Sequence, residues 1–291
     1  MSAALSSIPV RMQIGLTMFP TDYAVAPHEL ASDVEARGFE SLWFPEHTHI
    51  PASRKTPYPA GGELPKEYWH TLDPFAALSA AAVVTKRIKL ATGICLLVER
   101  DTIVTAKAAA TVDRLSGGRF IFGVGGGWNR EEMANHGTAF ETRWKKLKEQ
   151  VQAVRRIWSE EEAEFHGQLV SFDKIWCHPK PLQNPGPPVI LGGSSEQTLA
   201  RAVDYGDGWV PIHRGGDDLT KTRGLLLELE RLLSERGRSR SDFSVTIYGA
   251  PQTRAALDEF ASLGVERVLF TLRAEPRHAV LPKLDRMASL L

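Results

Sequence analysis

The stretch IVTAKAAATVDRLSGGRFIFGVGGGWN, residues 103–129, contains one complete unit of the fold. Residues 103–115 form a helical pattern, and Ser-Gly-Gly at 116–118 ends it. Residues 119–124 are dominated by aromatic and β-branched side chains, which favour a strand. A glycine-rich loop at 125–127 follows that strand. This order of helix, turn, strand and loop is typical of an α/β protein.

The same unit recurs along the 291 residues of the chain. We predict eight strands, at 13–17, 40–44, 88–92, 119–124, 189–191, 209–210, 244–248 and 266–271. A helical pattern follows each of them, at 27–37, from Asp73-Pro74 onward, and at 103–115, 140–158, 195–205, 225–233, 255–263 and in the last segment to Leu291. A doubly wound sheet is the rival architecture, but eight units without a linker favour closure into a (β/α)8 TIM barrel.

The domain organisation follows from the same alternation. We expect residues 12–291 to form a single barrel domain, with an N-terminal extension at 1–11. The segment 164–188 interrupts the rhythm with five prolines, and the alternation resumes directly after it. We therefore predict a β-rich insertion before the fifth strand.

Composition excludes several classes of partner. Lys and Arg total 35, as do Asp and Glu, and this zero net charge is not that of a nucleic-acid binder or a basic membrane-surface protein. The longest nearly apolar run, 75–84, is about half of what a membrane span needs, and the N-terminus lacks the pattern of a signal peptide. Only two cysteines occur, so we expect a cytoplasmic protein.

In a TIM barrel the reactive surface lies at the carboxyl ends of the strands. Gly192-Gly193-Ser194-Ser195 follows strand five and opens a helix, where free backbone N–H groups would bind an anion. Ser194 and Gln197 fit a capping box, so an ordinary strand-to-helix turn is the alternative interpretation.

A second glycine-rich loop, Gly125-Gly126-Gly127-Trp128, follows strand four. It fails as a dinucleotide fingerprint, because Trp128 stands in place of the third glycine and no acid follows at the usual distance. We interpret it as a flat ledge for a planar ring, with Trp128 as a wall. Glycine needed only for backbone bends is the alternative.

Two histidines, His47 and His49, follow strand two. Their spacing also begins the site of metal-dependent barrel hydrolases, but His213 is the only suitable later histidine and strand eight ends on Arg273 rather than on an aspartate. Without a metal, a histidine at the mouth is an acid/base candidate.

Other residues of the mouth are assigned by their surroundings. Cys95 has apolar neighbours, which raise the pKa of a thiol, so we predict that it lines the pocket. Aromatic residues before and within the loop after strand two favour a lid over an apolar pocket, although two of them are also candidates for the core: Phe19, Trp43, Phe44, Tyr58, Tyr68 and Trp69.

Five stretches occur together and in order: GFESLWFPEH at 38–47, AKAAATVDRLSGGR at 106–119, GVGGGWNREE at 123–132, PPVILGGS at 187–194 and GDGW at 206–209. This set resembles the bacterial luciferase-like superfamily, barrel enzymes that use reduced FMN or the deazaflavin coenzyme F420. The residues of the motifs at strands two and four favour the F420-dependent branch.

The resemblance implies a cofactor site. The tricyclic ring would lie across the barrel mouth, with Gly93 and Ile94 as a bulge behind it. In the F420-using branch this bulge contains a non-proline cis peptide, which places the expected bond between Gly93 and Ile94. The cofactor phosphate would meet Gly192, Gly193 and Ser194, and Ser195 is a further candidate cofactor contact. The ledge residues Gly125, Gly126, Gly127 and Trp128 and the pocket-lining Cys95 are our further candidates for cofactor contacts.

The resemblance also implies a catalytic histidine, and residues around the mouth are candidates for its partner and for substrate contacts. His47 matches the proton-transfer histidine of sugar- and alcohol-oxidising members, and we expect Glu46 to be coupled to it. Sugar-phosphate-oxidising members place an acid where Trp128 stands here. Trp69, His213, Arg214 and Arg273 are candidate substrate contacts, the two arginines as a pair for an anionic group.

The function expected from these residues is an oxidoreductase that transfers a hydride to or from, or oxygenates, a small organic substrate with F420 or FMN. A separate reductase supplying reduced cofactor, and a homodimer, are expected from the resemblance. A metal-dependent TIM-barrel hydrolase using His47 and His49, and a barrel that only binds a flavin, are the alternatives.

Overall fold

The computed structural model describes residues 12–214 and 218–291, so the predicted N-terminal extension at 1–11 lies outside the described residues. The strands, in chain order, are β1 (Gln13–Thr17), β2 (Ser41–Phe44), β3 (Lys89–Thr92), β4 (Phe120–Val124), β5 (Ala163–His166), β6 (Ser171–Ile175), β7 (Val189–Gly192), β8 (Gly208–Val210), β9 (Ser244–Tyr248) and β10 (Arg267–Thr271). The helices are α1 (Pro27–Ala36), α2 (Glu67–His70), α3 (Pro74–Val84), α4 (Thr102–Ser116), α5 (Arg130–Asn135), α6 (Arg143–Ser159), α7 (Glu196–Tyr205), α8 (Thr220–Glu235), α9 (Arg254–Ser262) and α10 (Arg277–Ala288).

Eight strands close into a parallel barrel in the order β1-β10-β9-β8-β7-β4-β3-β2. The first and last strands pair directly, with Gly15 opposite Leu269 and Thr17 opposite Thr271. This pairing removes both sheet edges and excludes the open, doubly wound alternative. The predicted (β/α)8 TIM barrel is therefore confirmed.

The barrel is filled rather than hollow. A buried cluster of Trp43, Ala91, Ile121, Ile190, Val210 and Leu269, one residue from each of six strands, occupies its interior. The N-terminal end holds Arg267, which is 1% exposed and donates hydrogen bonds to Glu40 and Gln13. The core thus leaves the carboxyl ends of the strands as the place for a cavity.

The strand-to-helix turns follow the local signals in the sequence. Asp73 caps α3 by accepting from the N–H groups of Phe75 and Ala76, directly before a proline at the first helical position. At the C-terminal end of α4, Gly117 adopts the left-handed conformation with φ 71°, which ends the helix before β4. Two short helices, α2 and α5, were not predicted, because each is only one or two turns long and carries little periodicity.

The segment between α6 and β7 contains the predicted β-rich excursion. Within it, β5 and β6 form an antiparallel pair outside the barrel, with Phe165 opposite Phe172. Within the described parts of the chain, no helix has the length and apolar character needed to traverse a membrane.

Candidate active site

A cavity of about 440 Å³ opens at the carboxyl ends of the barrel strands, a volume within the usual range for small-molecule sites. Its lining is more apolar than polar and comes from the loops after several strands. The lining includes Phe19, Glu46, His47, Tyr58, Tyr68, Gly93, Ile94, Leu96, Gly126, Gly127, Trp128, Trp144, Gly192, Gly193, Ser194, Ser195, Thr198, Ile212 and Arg214.

The floor of this cavity is the side chain of Ile94. The peptide bond between Gly93 and Ile94 is cis, as expected from the resemblance. A Cβ on Gly125 would lie 1.9 Å from Ile94 Cδ1, and one on Gly192 would lie 2.8 Å from Ile94 Cγ2. Glycine at 125 and 192 therefore lets Ile94 lie between the ends of β4 and β7. The result is an apolar floor over which neither Gly125 nor Gly192 places a side chain.

The N-terminus of α7 forms another side of the cavity. Ser195 caps this helix through a hydrogen bond from the N–H of Thr198, so the predicted capping role of Ser194 is wrong. Ser194 Oγ instead accepts from the Ile212 N–H and donates to the Ile212 carbonyl. Gly193 has φ 134°, a backbone conformation that favours glycine. The positive end of the helix dipole thus faces a glycine-serine loop at the mouth.

His47 and Glu132 form a buried pair beside the cavity. His47 Nδ1 lies 2.8 Å and 3.0 Å from the two carboxylate oxygens of Glu132, and their side chains are 6% and 0% exposed. Because an ionised carboxylate can only accept, Nδ1 would carry the hydrogen of this bond, and Nε2 would be the ring nitrogen left to accept a proton. The His47 ring also contacts those of Tyr68 and Trp128, with centroids 5.0 Å and 5.8 Å away.

Glu46 has different partners from those predicted. Its carboxylate accepts a 2.7 Å hydrogen bond from the Leu96 N–H and pairs with the Arg100 guanidinium, which also contacts Asp73. A guanidinium and a backbone donor satisfy this buried carboxylate. The expected coupling of Glu46 to His47 is therefore wrong, and the acid that holds the histidine is Glu132.

The loop between β2 and α3 covers the mouth, as predicted for an aromatic lid. The hydroxyls of Tyr58 and Tyr68 are 3.1 Å apart, and Arg214 donates to the Pro59 carbonyl at 3.1 Å. Glu131 holds the loop from α5, accepting from the Thr56 hydroxyl at 2.6 Å and from backbone N–H groups. The hydrogen bond from Thr56 lowers the pKa of Glu131 to about 2. Trp43 and Phe44 are fully buried and belong to the core.

Two predicted cofactor contacts lie behind the cavity wall. Cys95 is 0% exposed, and burial raises the pKa of its thiol well above the usual value. Its neighbours Ile94 and Leu96 line the cavity in its place. Gly125 is covered by the Ile94 side chain and does not line the cavity either.

Three predicted substrate contacts also lie elsewhere. Trp69 is 49% exposed on the outside of α2, and Tyr68 next to it faces the cavity, because successive helical residues point in different directions. His213 is buried, with Nδ1 3.0 Å from Thr222 Oγ1 and its ring against Phe260. Arg273 is exposed outside the cavity, so it forms no pair with Arg214 there.

His49 belongs to a separate polar group. Its Nδ1 lies 2.9 Å from Thr48 Oγ1 and its Nε2 lies 2.8 Å from Asn135 Nδ2. Across residues 12–214 and 218–291, no three His, Cys, Asp or Glu side chains are gathered in a way that could hold a metal ion. His47 and His49 therefore lack a third ligand within that part of the chain.

The sequence analysis did not assign three residues in or beside the site: Glu132, Glu99 and Trp144. Glu132 had a detectable signal: Asn129 caps α5 and accepts from the Glu132 N–H, an Asn-x-x-Glu pattern typical of a helix start. Trp144 packs against Gly126, where a Cβ would lie 3.0 Å from its ring. Glu99 follows an apolar run in the sequence, which gives no indication of an acid in the site.

Comparison with known proteins gives one family. The family model described as luciferase-like monooxygenase matches residues 15–270. "Uncharacterized protein Rv0953c" of Mycobacterium tuberculosis (strain ATCC 25618 / H37Rv) is 37% identical over 284 residues, which cover 96% of this chain and 99% of that protein.

Two solved structures share the fold at low sequence identity. The monooxygenase RslO1 from Streptomyces bottropensis has a TM-score of 0.78 at 19% identity, covering 96% of this chain and 98% of that one. An F420-dependent secondary alcohol dehydrogenase, solved with an F420-acetone adduct, has a TM-score of 0.73 at 17% identity with the same coverage.

Proposed function

Because this chain belongs to the luciferase-like monooxygenase family, we propose that it is an oxidoreductase that binds F420 and moves a hydride between that cofactor and a small organic substrate. The observation that carries the proposal is the buried His47–Glu132 pair at the edge of the Ile94 floor. It brings a proton acceptor next to a surface on which a planar ring can lie.

Two features of the cavity support the binding of a tricyclic cofactor with an anionic tail. Ile94 between Gly125 and Gly192 gives a flat apolar surface for the ring, and Trp128 and Trp144 stand on its sides. Residues 192–195 would hold the phosphate at the positive end of α7. Bound there, the cofactor would supply the hydride chemistry, and the protein would supply binding, orientation and proton transfer.

His47 would accept or donate the proton that accompanies hydride transfer. When an alcohol is oxidised, Nε2 of His47 would accept the hydroxyl proton as the hydride leaves the carbon for the bound cofactor. Glu132, hydrogen-bonded to Nδ1, holds the ring in this orientation and stabilises the imidazolium that forms. The lid residues Tyr58 and Tyr68 would exclude water and contact the apolar part of the substrate.

FMN with monooxygenation is the second candidate. Its support is the match to the luciferase-like monooxygenase family and the similarity to RslO1. In this version a separate reductase would supply reduced FMN, and the same cavity would exclude water from the oxygenation step.

We also propose that the protein is a cytoplasmic homodimer. Light scattering of the purified protein would test whether it is a dimer.

The deciding experiment is a pair of fluorescence titrations of the full-length protein, one with F420 and one with FMN. We expect saturable quenching with F420 at one cofactor per chain and at least tenfold weaker binding of FMN. Tighter binding of FMN would replace the first proposal by the second. Saturable binding with no turnover of any alcohol, ketone or other donor tested would leave a flavin-binding barrel.

A further inference from the structure

Glu99 is a buried acid that the proposed chemistry does not use. It ends the short turn Leu97–Glu99 after β3 and is 5% exposed. Its Oε1 lies behind the glycine-rich loop, 3.3 Å from where a Cβ on Gly127 would stand. Within residues 12–214 and 218–291, neither carboxyl oxygen of Glu99 has a hydrogen-bond donor.

The charged groups around Glu99 come from four elements. Glu132 on α5 and Glu46 after β2 are its acidic neighbours, and Arg100 and Lys146 are the cations in range. Arg100 is already bound to Glu46 and Asp73. Lys146 donates to the Val98 carbonyl and the Thr138 hydroxyl. The acids near Glu99 therefore outnumber the cations free to pair with it.

A carboxylate in this position would be unfavourable for two reasons. A buried charge without a hydrogen-bond donor loses its hydration without compensation. Two carboxylates side by side in a buried site do not both ionise near neutral pH. Burial, followed by the charge of Glu132, raises the pKa of Glu99 to about 9. A protonated Glu99 has an O–H to donate, and the adjacent Glu132 carboxylate can accept it.

We propose that Glu99 is a positioning residue that remains protonated at neutral pH and donates a hydrogen bond to Glu132, so that Glu132 stays an anionic acceptor for Nδ1 of His47. As a statement about catalysis, this inference rests on the proposed role of His47. The protonation of Glu99 itself does not depend on a cofactor or a substrate.

The consequence is an alkaline limit on the His47–Glu132 pair. Below about pH 9 a single negative charge is shared by Glu99 and Glu132, and it faces His47. Above that pH Glu99 ionises, donates nothing and repels Glu132. The environment of the His47 ring therefore changes near pH 9, well above the range in which a histidine usually titrates.

The test is NMR of the cofactor-free, full-length protein with 15N-labelled histidine, followed from pH 6 to 10.5. We expect the His47 ring signals to show an inflection near pH 9 in the wild type. Glu99→Gln, a permanently neutral side chain that still donates, is expected to remove this inflection while keeping the Nδ1–H form of the ring at pH 7. Glu141→Gln, the same charge change at an exposed acid that pairs with Arg130, is the control and should keep the inflection.

Two outcomes would overturn the inference: a wild-type titration without the alkaline inflection, or one in which the inflection persists in Glu99→Gln. Activity supplies a second readout if the proposed function holds. The wild-type kcat should then fall above about pH 9, and the fall should be absent in Glu99→Gln. Failure of every cofactor to support turnover would remove the proposed function but leave the NMR result to decide the state of Glu99.

Discussion

Glu132 lies 2.8 Å from Nδ1 of His47, although the two residues are 85 positions apart in the chain. The strand β2 delivers the histidine to the mouth, and α5, the helix that follows β4, delivers the acid. Glu131 on the same helix holds the lid loop at Thr56. The short helix α5 therefore contacts both His47 and the lid loop.

Replacing His47 by Asn tests its role as the acid/base. Asn keeps a polar side chain of similar size but does not accept a proton near neutral pH. We expect kcat to fall by about 10²–10⁴-fold, the usual contribution of general acid–base catalysis. Cofactor affinity, measured by fluorescence titration, should change less than threefold. A kcat within threefold of the wild type would remove His47 from the chemistry.

Replacing Glu132 by Gln tests the orienting acid. The amide keeps the shape of the side chain but lacks the charge, and its NH2 group favours the wrong tautomer of His47. We expect a loss of kcat on the order of 10²-fold or more, as for other catalytic histidines oriented by a buried carboxylate. The 15N shifts of His47 should report the change of tautomer. Unchanged shifts and unchanged kcat would contradict the pairing.

Gly125→Ala tests the floor of the cavity. The added methyl group would overlap Ile94 Cδ1 at 1.9 Å, so Ile94 must move. We expect cofactor affinity to fall at least tenfold, or about 1.4 kcal/mol. The double variant Gly125→Ala with Ile94→Val lacks the clashing Cδ1 and should recover most of the affinity. Equal affinities for the single variant and the wild type would show that the cofactor does not rest on Ile94.

Gly193→Ala tests the proposed phosphate loop. Its φ of 134° disfavours any other residue, and an added Cβ would lie 3.0 Å from Thr198 Cγ2. We expect a stability loss of about 1–3 kcal/mol by denaturant unfolding and weaker cofactor binding. Gly237→Ala is the control, since Gly237 also has positive φ (62°) with nothing within 4 Å of a Cβ. That variant should lose stability only.

The raised pKa of Glu99 also predicts how stability depends on pH. A carboxyl whose pKa is about 9 in the folded protein and near 4.3 when unfolded holds its proton more tightly when folded. Its contribution to the free energy of unfolding therefore decreases as pH rises from about 4 to 9. Glu99→Gln removes this decrease. The Tm of the variant minus the Tm of the wild type should therefore be larger at pH 8 than at pH 5. An equal Tm difference at both pH values would contradict a protonated Glu99.

The barrel was predictable because its signals are local and repeated. Each strand pattern, such as that of residues 119–124, is followed by a turn and a helical pattern, and eight such units specify closure. The mouth residues His47, Ile94 and Ser195 followed from the rule that the carboxyl ends of strands form the site. The family resemblance added the cis bond at Gly93–Ile94, which local patterns do not encode.

The pairings within the site were not predictable in the same way. Glu46 is next to His47 in sequence, but Arg100 and the Leu96 N–H satisfy it, and Glu132 reaches the histidine from another loop. Such choices depend on which donors and charges meet in three dimensions. Cys95 shows the same limit: its place after β3 is correct for a ligand contact, but the backbone turns its side chain into the core.

A crystal structure of the protein with F420 bound is the sharpest test of the proposed cofactor site. We expect the tricyclic ring to lie across Ile94, the phosphate to meet residues 192–195, and Nε2 of His47 to face the substrate side of the ring. A cofactor bound outside this cavity, or a cavity in which His47 has left Glu132 and turned away from the ring, would contradict this expectation.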